Sequence, residues 1–415
     1  MEEIEVDILI LGAGVTGLSL GSFLKGRDYL ILEKEDSPGG YCKTTIQDGF
    51  VWDYSGHFFH FSDPEIKSYL LENMDCKIST VQKKSHIHYK GKLIDFPFQD
   101  NVHQLDLIEF IECIRDLYLA GIGEKDQSSF KDHIYSRLGK SICDKFIIPY
   151  NEKLYAIDLN LLDFESMGRF FPTIQSFEKL MEKILTNEKS ISYNETFIYP
   201  EFGCFEFIKS ILKRIDEPMI LVNHEVIGID LGKKEVRTRN KIFRFNKLVN
   251  TLPLNSLLKM TGDDTGDLTS NKVCVFNLGF DSPTKIKSNW IYFPGDEIFY
   301  RVGFYNNIMD SSRMSLYVEI GFENGHKIEE EDLLTKVLKD LKRSGIVEDQ
   351  VLISKQFLTM SPAYAHITER SKSLYSSWSE KWNKEGIYSI GRYGQWTYCS
   401  IEDNIKQAKK ILSKI

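Results

Sequence analysis

At 415 residues, 42% of them hydrophobic, the chain is long enough for two or three domains built on a substantial shared core. Its 52 basic and 60 acidic residues leave a net charge of −8, which gives no electrostatic case for nucleic acid or an anionic membrane, so an anionic ligand would need a local cluster of arginines. Seven cysteines, at 42, 76, 113, 143, 204, 274 and 399, lack metal-ligand spacing and form poor material for a disulfide framework; no metal is expected, and a reducing cytoplasm fits.

The acidic N-terminus runs directly into a first strand, and no apolar stretch approaches membrane-spanning length, so neither a leader nor membrane insertion is expected. The run Asp7-Ile-Leu-Ile-Leu-Gly-Ala-Gly-Val-Thr-Gly17 then reads as a buried parallel strand, a tight turn and a helix start. Gly12 allows the turn, Gly14 lets backbone approach a pyrophosphate, and Gly17 lets the helix pack against the strand. Leu30-Ile-Leu-Glu33 closes a second strand on a carboxylate, sixteen residues past Gly17. That carboxylate accepts from both ribose hydroxyls and repels a 2′-phosphate, which favours FAD or NAD over NADP. Lys34 follows it, and Ser37-Pro-Gly39-Gly40-Tyr41 supplies a second glycine-rich approach.

Beyond residue 80 the periods alternate. Val81, His86-Ile-His88-Tyr and the Lys90-Gly-Lys92 turn read as strands; His86 and His88 share a face without a metal-ligand partner in the sequence. From Val102 to about Ser190 the period is helical, with an apolar stripe marked by Leu105, Ile108, Ile111 and Ile114 together with Leu107, Leu117 and Tyr118. A helix from Phe205 to Ile215 precedes short strands around Ile220, Val226–Leu231 and Arg244–Leu252. Strands are then expected at Val273–Leu278, Ile298–Phe304, Leu316–Ile320 and Val351–Phe357, with an amphipathic helix near Glu331–Lys342. The closing Ile387-Tyr-Ser-Ile-Gly391-Arg392 and a final helix restore the nucleotide-fold pattern. The expected fold is α/β: a Rossmann-like FAD-binding domain (1–80, 200–265 and 380–415), a helical insert (102–195), and an antiparallel-sheet substrate domain (81–101 and 266–379).

Five further stretches carry a resemblance. Tyr89-Lys-Gly-Lys-Leu-Ile-Asp-Phe-Pro97-Phe98-Gln99 resembles the "YKGKL" and "PFQNN" segments of the UDP-galactopyranose mutases, and Gly56-His57-Phe-Phe-His60 resembles their "GAHIFH" loop. Tyr150-Asn-Glu-Lys-Leu-Tyr155 is similar to "GYTEKQW", Phe299-Tyr-Arg301 to "FYRAT", and Gly391-Arg392-Tyr-Gly-Gln-Trp-Thr-Tyr398 to "GRFGSWKY". The N-terminal pattern is shared with amine oxidase and protoporphyrinogen oxidase flavoproteins. Two departures bear on the substrate: Tyr155 stands where the family has tryptophan, and Ser400 where bacterial members have aspartate.

The resemblance implies an isomerase, an intramolecular transferase of cell-surface polysaccharide biosynthesis. Reduced FAD attacks through N5 the anomeric carbon of a nucleotide sugar, and pyranose becomes furanose with no net redox change; NAD(P)H is the implied reductant. The residues implied for FAD are Gly12, Gly14, Gly17, Glu33, Lys34, Gly39, Gly40, Tyr41, His57, Gly391 and Arg392. Arg169 and Arg301 are assigned to the leaving diphosphate, because guanidinium groups bind phosphate oxygens in a fork; without the resemblance, either reads as a surface ion pair. Phe98, Gln99, Tyr364 and Tyr398 complete the substrate set, with Tyr150 and Tyr155 either stacking on base or sugar or packing in the core. His57 either faces the flavin or is a satisfied core histidine. Two rivals remain open: an amine oxidase- or desaturase-like oxidoreductase, and a flavoprotein that binds a nucleotide without turnover. The sequence is compatible with a homo-oligomer.

Overall fold

The computed structural model describes residues 2–168, 177–186, 195–266, 268–309 and 311–415. Its central strand, Glu2–Leu11, pairs in parallel with Tyr29–Leu32 on one side and Lys241–Asn250 on the other. Ile220–Leu221 and Ile387–Ser389 extend this parallel core, and the hairpin Gly228–Asp230/Glu235–Arg237 adds an antiparallel edge. Burial on both faces explains why the second half of the central strand, Ile8–Leu11, is apolar throughout. Ile8 and Ile10 pack with helices Val15–Phe23, Phe205–Leu212 and Ile401–Ile411, whereas Leu9 and Leu11 pack with Leu254–Thr261 and Trp378 on the opposite face.

The second sheet runs in the spatial order Leu352–Met360, Asn271–Phe280, Ser315–Glu323, Arg301–Phe304, Trp290–Tyr292, Ser85–Tyr89, Lys92–Asp95. It is antiparallel except where Trp290–Tyr292 meets Ser85–Tyr89. Leu316, Val318 and Ile320 cover the helix Glu330–Arg343, so Tyr317 and Glu319 between them face the other way. Register places Arg301 opposite Glu319 and Gly303 opposite Tyr317. A Cβ on Gly303 would lie 1.9 Å from the Tyr317 ring, so this glycine makes room for it.

Strand Ile78–Gln82 leaves this sheet and pairs with Thr196–Pro200 instead. The insert contains helices Leu107–Ile122, Phe130–Leu138 and Ile148–Tyr155, the last entered through a π turn over Cys143–Ile147 just ahead of Pro149, which has no N–H to donate. Its first helix corrects the expected stripe in part: Leu117 faces inward as expected, joined by Cys113 and Asp116, while Leu107, Ile108, Ile111 and Tyr118 are exposed. Asp116 is drawn in because its carboxylate accepts from both the amide and the hydroxyl of Ser141. Among the described residues no helix is long and apolar enough to cross a membrane.

Candidate functional site: a dinucleotide cradle beside an arginine–tyrosine chamber

The cradle is made by glycines at close quarters. Gly12 has φ +96°, and a Cβ on Gly17 would lie 2.0 Å from the Gly12 carbonyl oxygen. No side chain caps the helix that starts after Gly14, and a Cβ on Gly14 would meet nothing within 4 Å, so its amides face open space. Gly39 donates to the Ala13 carbonyl at 2.8 Å, bringing Gly40 against Gly14. Across the cradle, Gly391 (φ +87°) sits on Thr16, and Arg392 donates its amide to Asn404, which also accepts from the Thr16 hydroxyl. These features fit a dinucleotide.

Glu33 is buried, its oxygens accepting from the amides of Ala13 (2.9 Å) and Glu35 (3.0 Å). Each oxygen retains acceptor capacity for a ribose hydroxyl. Lys34 stands apart, exposed and 3.4 Å from Glu35. Tyr41 leads from the cradle toward the second sheet, its ring edge-on to Tyr393.

There the chain gathers a chamber of charge and phenol. Arg301 forks onto Glu319, Nε to Oε2 and Nη2 to Oε1, both at 2.7 Å, with side-chain exposures of 19% and 1%. Arg392 lies over the rings of Tyr398 (4.6 Å) and Tyr364 (5.2 Å), which stack on each other. Tyr150 meets Tyr292 and Tyr300 edge-on. Burial raises the phenols of Tyr150, Tyr292, Tyr300, Tyr317 and Tyr364 above their ordinary value, so all are neutral donors near pH 7.

His57 stands beside both arginines. Desolvation lowers its imidazole to about 4, with Arg392 and Arg301 adding to the effect against the pull of Ser55 and Glu319. Its Nδ1–H donates to the Ser55 carbonyl at 3.1 Å, which leaves Nε2 as a bare acceptor. The preceding loop is anchored by Asp53, whose buried carboxyl accepts from Thr44, Tyr199 and the Cys204 amide.

The remaining expected residues lie deeper. Phe98 and Gln99 have no exposed surface, and Phe98 stacks on Phe146, which in turn stacks on Tyr150. Tyr155 is 2% exposed and packs against Phe130 and Tyr364. Asn271 joins this region, donating to the Leu154 carbonyl and accepting from the Tyr364 amide. Arg169 lies outside the described residues. His86 and His88 each meet a carboxylate, Asp95 and Glu297 respectively. Ser400 caps the final helix through a reciprocal bond with Asp403.

Sequence reasoning missed Glu319, Ser55, Tyr317, Tyr292 and Asn271. A signal existed for the first: a carboxylate at an inward position of an apolar strand, Leu316-Tyr-Val-Glu319-Ile, needs a buried partner.

Comparison with known proteins agrees with this architecture. Residues 10–72 match the NAD(P)-binding Rossmann-like domain. A 91-residue segment is 35% identical to prolycopene isomerase 2 of an Oncidium hybrid cultivar, covering 20% of this chain and 16% of that protein. The chain thus matches only a small part of that relative's length. A solved UDP-galactopyranose mutase in its reduced form superposes with a TM-score of 0.91 at 22% identity, over 98% of this chain and 92% of that one. A putative protoporphyrinogen oxidase from Exiguobacterium sp. 255-15 gives 0.77 at 16% identity, over 99% and 98%. The chain has the fold of UDP-galactopyranose mutase, essentially from end to end.

Proposed function

We propose that this protein is an FAD-dependent nucleotide-sugar mutase that interconverts pyranose and furanose forms. The observation that carries the reading is the chamber itself: a half-buried arginine forked onto Glu319, a second arginine over paired tyrosines and a neutral histidine, all beside a dinucleotide cradle. Such a chamber suits a diphosphate better than an amine or an apolar polyene.

Gly12, Gly14, Gly17, Glu33, Gly39, Gly40, Tyr41, Gly391 and Arg392 would hold FAD, which in its reduced form would supply the nucleophile. Arg301 binds the diphosphate, with Arg169 as its proposed second contact. Retained positive charge makes that group both a better leaving group and one that stays close enough to return. Tyr364 and Tyr398 donate to its oxygens without adding charge, while Tyr150 lines the sugar side. Phe98, Gln99 and Tyr155 support that wall from within. His57, neutral and with Nε2 unprotonated, offers an acceptor at the cofactor edge. NAD(P)H is the proposed reductant. The protein works in the cytoplasm in this reading, in keeping with seven cysteines that form no disulfide among the described residues.

The alternative, an amine oxidase-like oxidoreductase, draws on the likeness to the putative protoporphyrinogen oxidase. One experiment separates them. Dithionite-reduced protein is incubated anaerobically with UDP-, GDP- and dTDP-sugars, and pyranose is resolved from furanose by chromatography. Isomerised sugar without stoichiometric NAD(P)H consumption supports the mutase; one reductant or acceptor per product assigns the oxidoreductase.

A further inference from the structure

Lys83 is a cation that the fold brings to the chamber without an anion. Trp290 and Tyr292 stand opposite Gly303 and Arg301 on the neighbouring strand, and these in turn stand opposite Tyr317 and Glu319, so all share the chamber face of the second sheet. The Lys83 ammonium lies over two rings of this wall, 4.9 Å from the Phe96 centroid and 5.7 Å from that of Trp290. Phe96 packs on Tyr292, which meets Tyr150, each at 5.2 Å, and Trp290 stacks at 5.0 Å on Phe58, the residue after His57. Lys83 is half-buried, and desolvation lowers its amine to about 8, so it keeps its charge at pH 7. Among the described residues no carboxylate meets it. The ionisable neighbour it acts on is His60, whose imidazole is lowered by desolvation, against its bond to the Thr196 carbonyl, and by the ammonium, so that it adds no negative charge.

Trp290 supplies a second donor: its indole N–H is buried with no acceptor within hydrogen-bond distance among the described residues. Two donors with a single positive charge therefore stand side by side, one pleat repeat along the wall from Arg301. An ammonium and an N–H match the two oxygens and one charge of a carboxylate. A phosphate monoester would bring a second charge with nothing to meet it among aromatic rings. We propose that Lys83 and Trp290 form a subsite for a carboxylate carried by the sugar itself, so that the substrate is a nucleotide-linked uronic acid. The inference rests on the mutase reading, whose substrate it narrows: the diphosphate lies on Arg301, the sugar along the Tyr292–Trp290 wall, and the sugar carboxylate on Lys83. Anchored at both ends, the ring presents its anomeric carbon in one orientation.

The test uses FAD-loaded, dithionite-reduced protein with UDP, UDP-galactose and UDP-galacturonate. The two sugars differ only at C6, hydroxymethyl against carboxylate, and UDP reports the diphosphate contact alone. Wild type should bind UDP-galacturonate about 10- to 150-fold more tightly than UDP-galactose, the range for a hydrogen bond to a charged group. Lys83→Met should bring that ratio to within about two-fold of unity, and Lys83→Arg, which keeps the charge, should retain most of it. Lys83→Gln gives the same reading should Lys83→Met fail to fold. Equal affinities in wild type, or a ratio unchanged in Lys83→Met, overturns the proposal, and an unchanged ratio with a shifted flavin absorption would assign the ammonium to the cofactor. Conversion on the same samples is a separate readout. A preference for the uronate without pyranose–furanose exchange removes the mutase reading and leaves the carboxylate subsite standing; exchange of UDP-galactose without that preference does the reverse. No binding of any of the three overturns both.

Discussion

Arg301 and Glu319 are cross-strand partners in register, and the guanidinium closes a two-point ion pair on a carboxylate with 1% exposure. This changes what Arg301→Ala does. Loss of a transition-state contact costs about 2–4 kcal/mol, or roughly 30- to 1000-fold in turnover. The same change strands a buried carboxylate, a further loss of about 3–5 kcal/mol in folding stability. Arg301→Lys should recover part of each, since an ammonium lacks the fork. The double variant Arg301→Met/Glu319→Gln should regain thermal stability while turnover stays low. Near-wild-type turnover in stably folded Arg301→Ala would show that this strand does not reach the substrate.

The Rossmann half was legible because its constraints are local. Ile8 to Leu11 must be buried on both faces, and backbone geometry demands Gly12, at φ +96°, and Gly17, 2.0 Å from the Gly12 carbonyl oxygen by its missing Cβ, whereas Gly14 keeps an ordinary φ and leaves space above the helix start. The second sheet was legible as strands but not as a site. Arg301 stood out through its flanking aromatics, whereas Glu319 and Ser55 acquire meaning only when register and loop closure bring positions 264 residues apart into contact. The helix Leu107–Ile122 misled for a similar reason. Its period was helical and Leu117 turned inward as expected, yet Ile108 and Ile111 are exposed, and Asp116 holds an inward position that only its tertiary bonds to the Ser141 amide and hydroxyl make tolerable.

Gly17→Ala should empty the cofactor site without unfolding the second sheet. Its Cβ would stand 2.0 Å from the Gly12 carbonyl oxygen, a backbone atom that cannot swing aside, so the helix start must shift from the diphosphate position. We expect colourless protein with little flavin per chain after purification and poor reconstitution with added FAD. A yellow Gly17→Ala protein of normal stoichiometry would mean the diphosphate sits elsewhere.

His57 makes the protein acid-sensitive above the range where most carboxylates titrate. Folding holds its imidazole near 4 against an ordinary 6.5, mainly by desolvation, so the unfolded chain binds the extra proton. Its contribution is intact above about pH 6.5 and is lost progressively as pH falls toward 4. His57→Gln, which keeps a donor for the Ser55 carbonyl, should show a shallower fall of thermal midpoint across this window. Parallel wild-type and variant profiles would place the sensitivity on other groups.

Lys83 is a cation held against aromatic faces, its ammonium 4.9 Å from the Phe96 centroid and 5.7 Å from that of Trp290. Desolvation by burial lowers its amine from 10.5 to about 8. The sign follows from linkage: between pH 8 and 10.5 the unfolded chain keeps a proton that the folded one has released, so stability rises with pH through that window and the cost of burying the charge is fully present below it. Cation–π attraction offsets part of this cost, and partial exposure discounts it further. Lys83→Met retains the apolar stem and removes the charge. At pH 7 it should stabilise the protein by on the order of 1 kcal/mol and flatten the alkaline rise, read as thermal midpoints of the two proteins across the window. A destabilised variant at pH 7 would show instead that the ammonium has an anionic partner in the working protein, and that the aromatic faces alone do not account for its position.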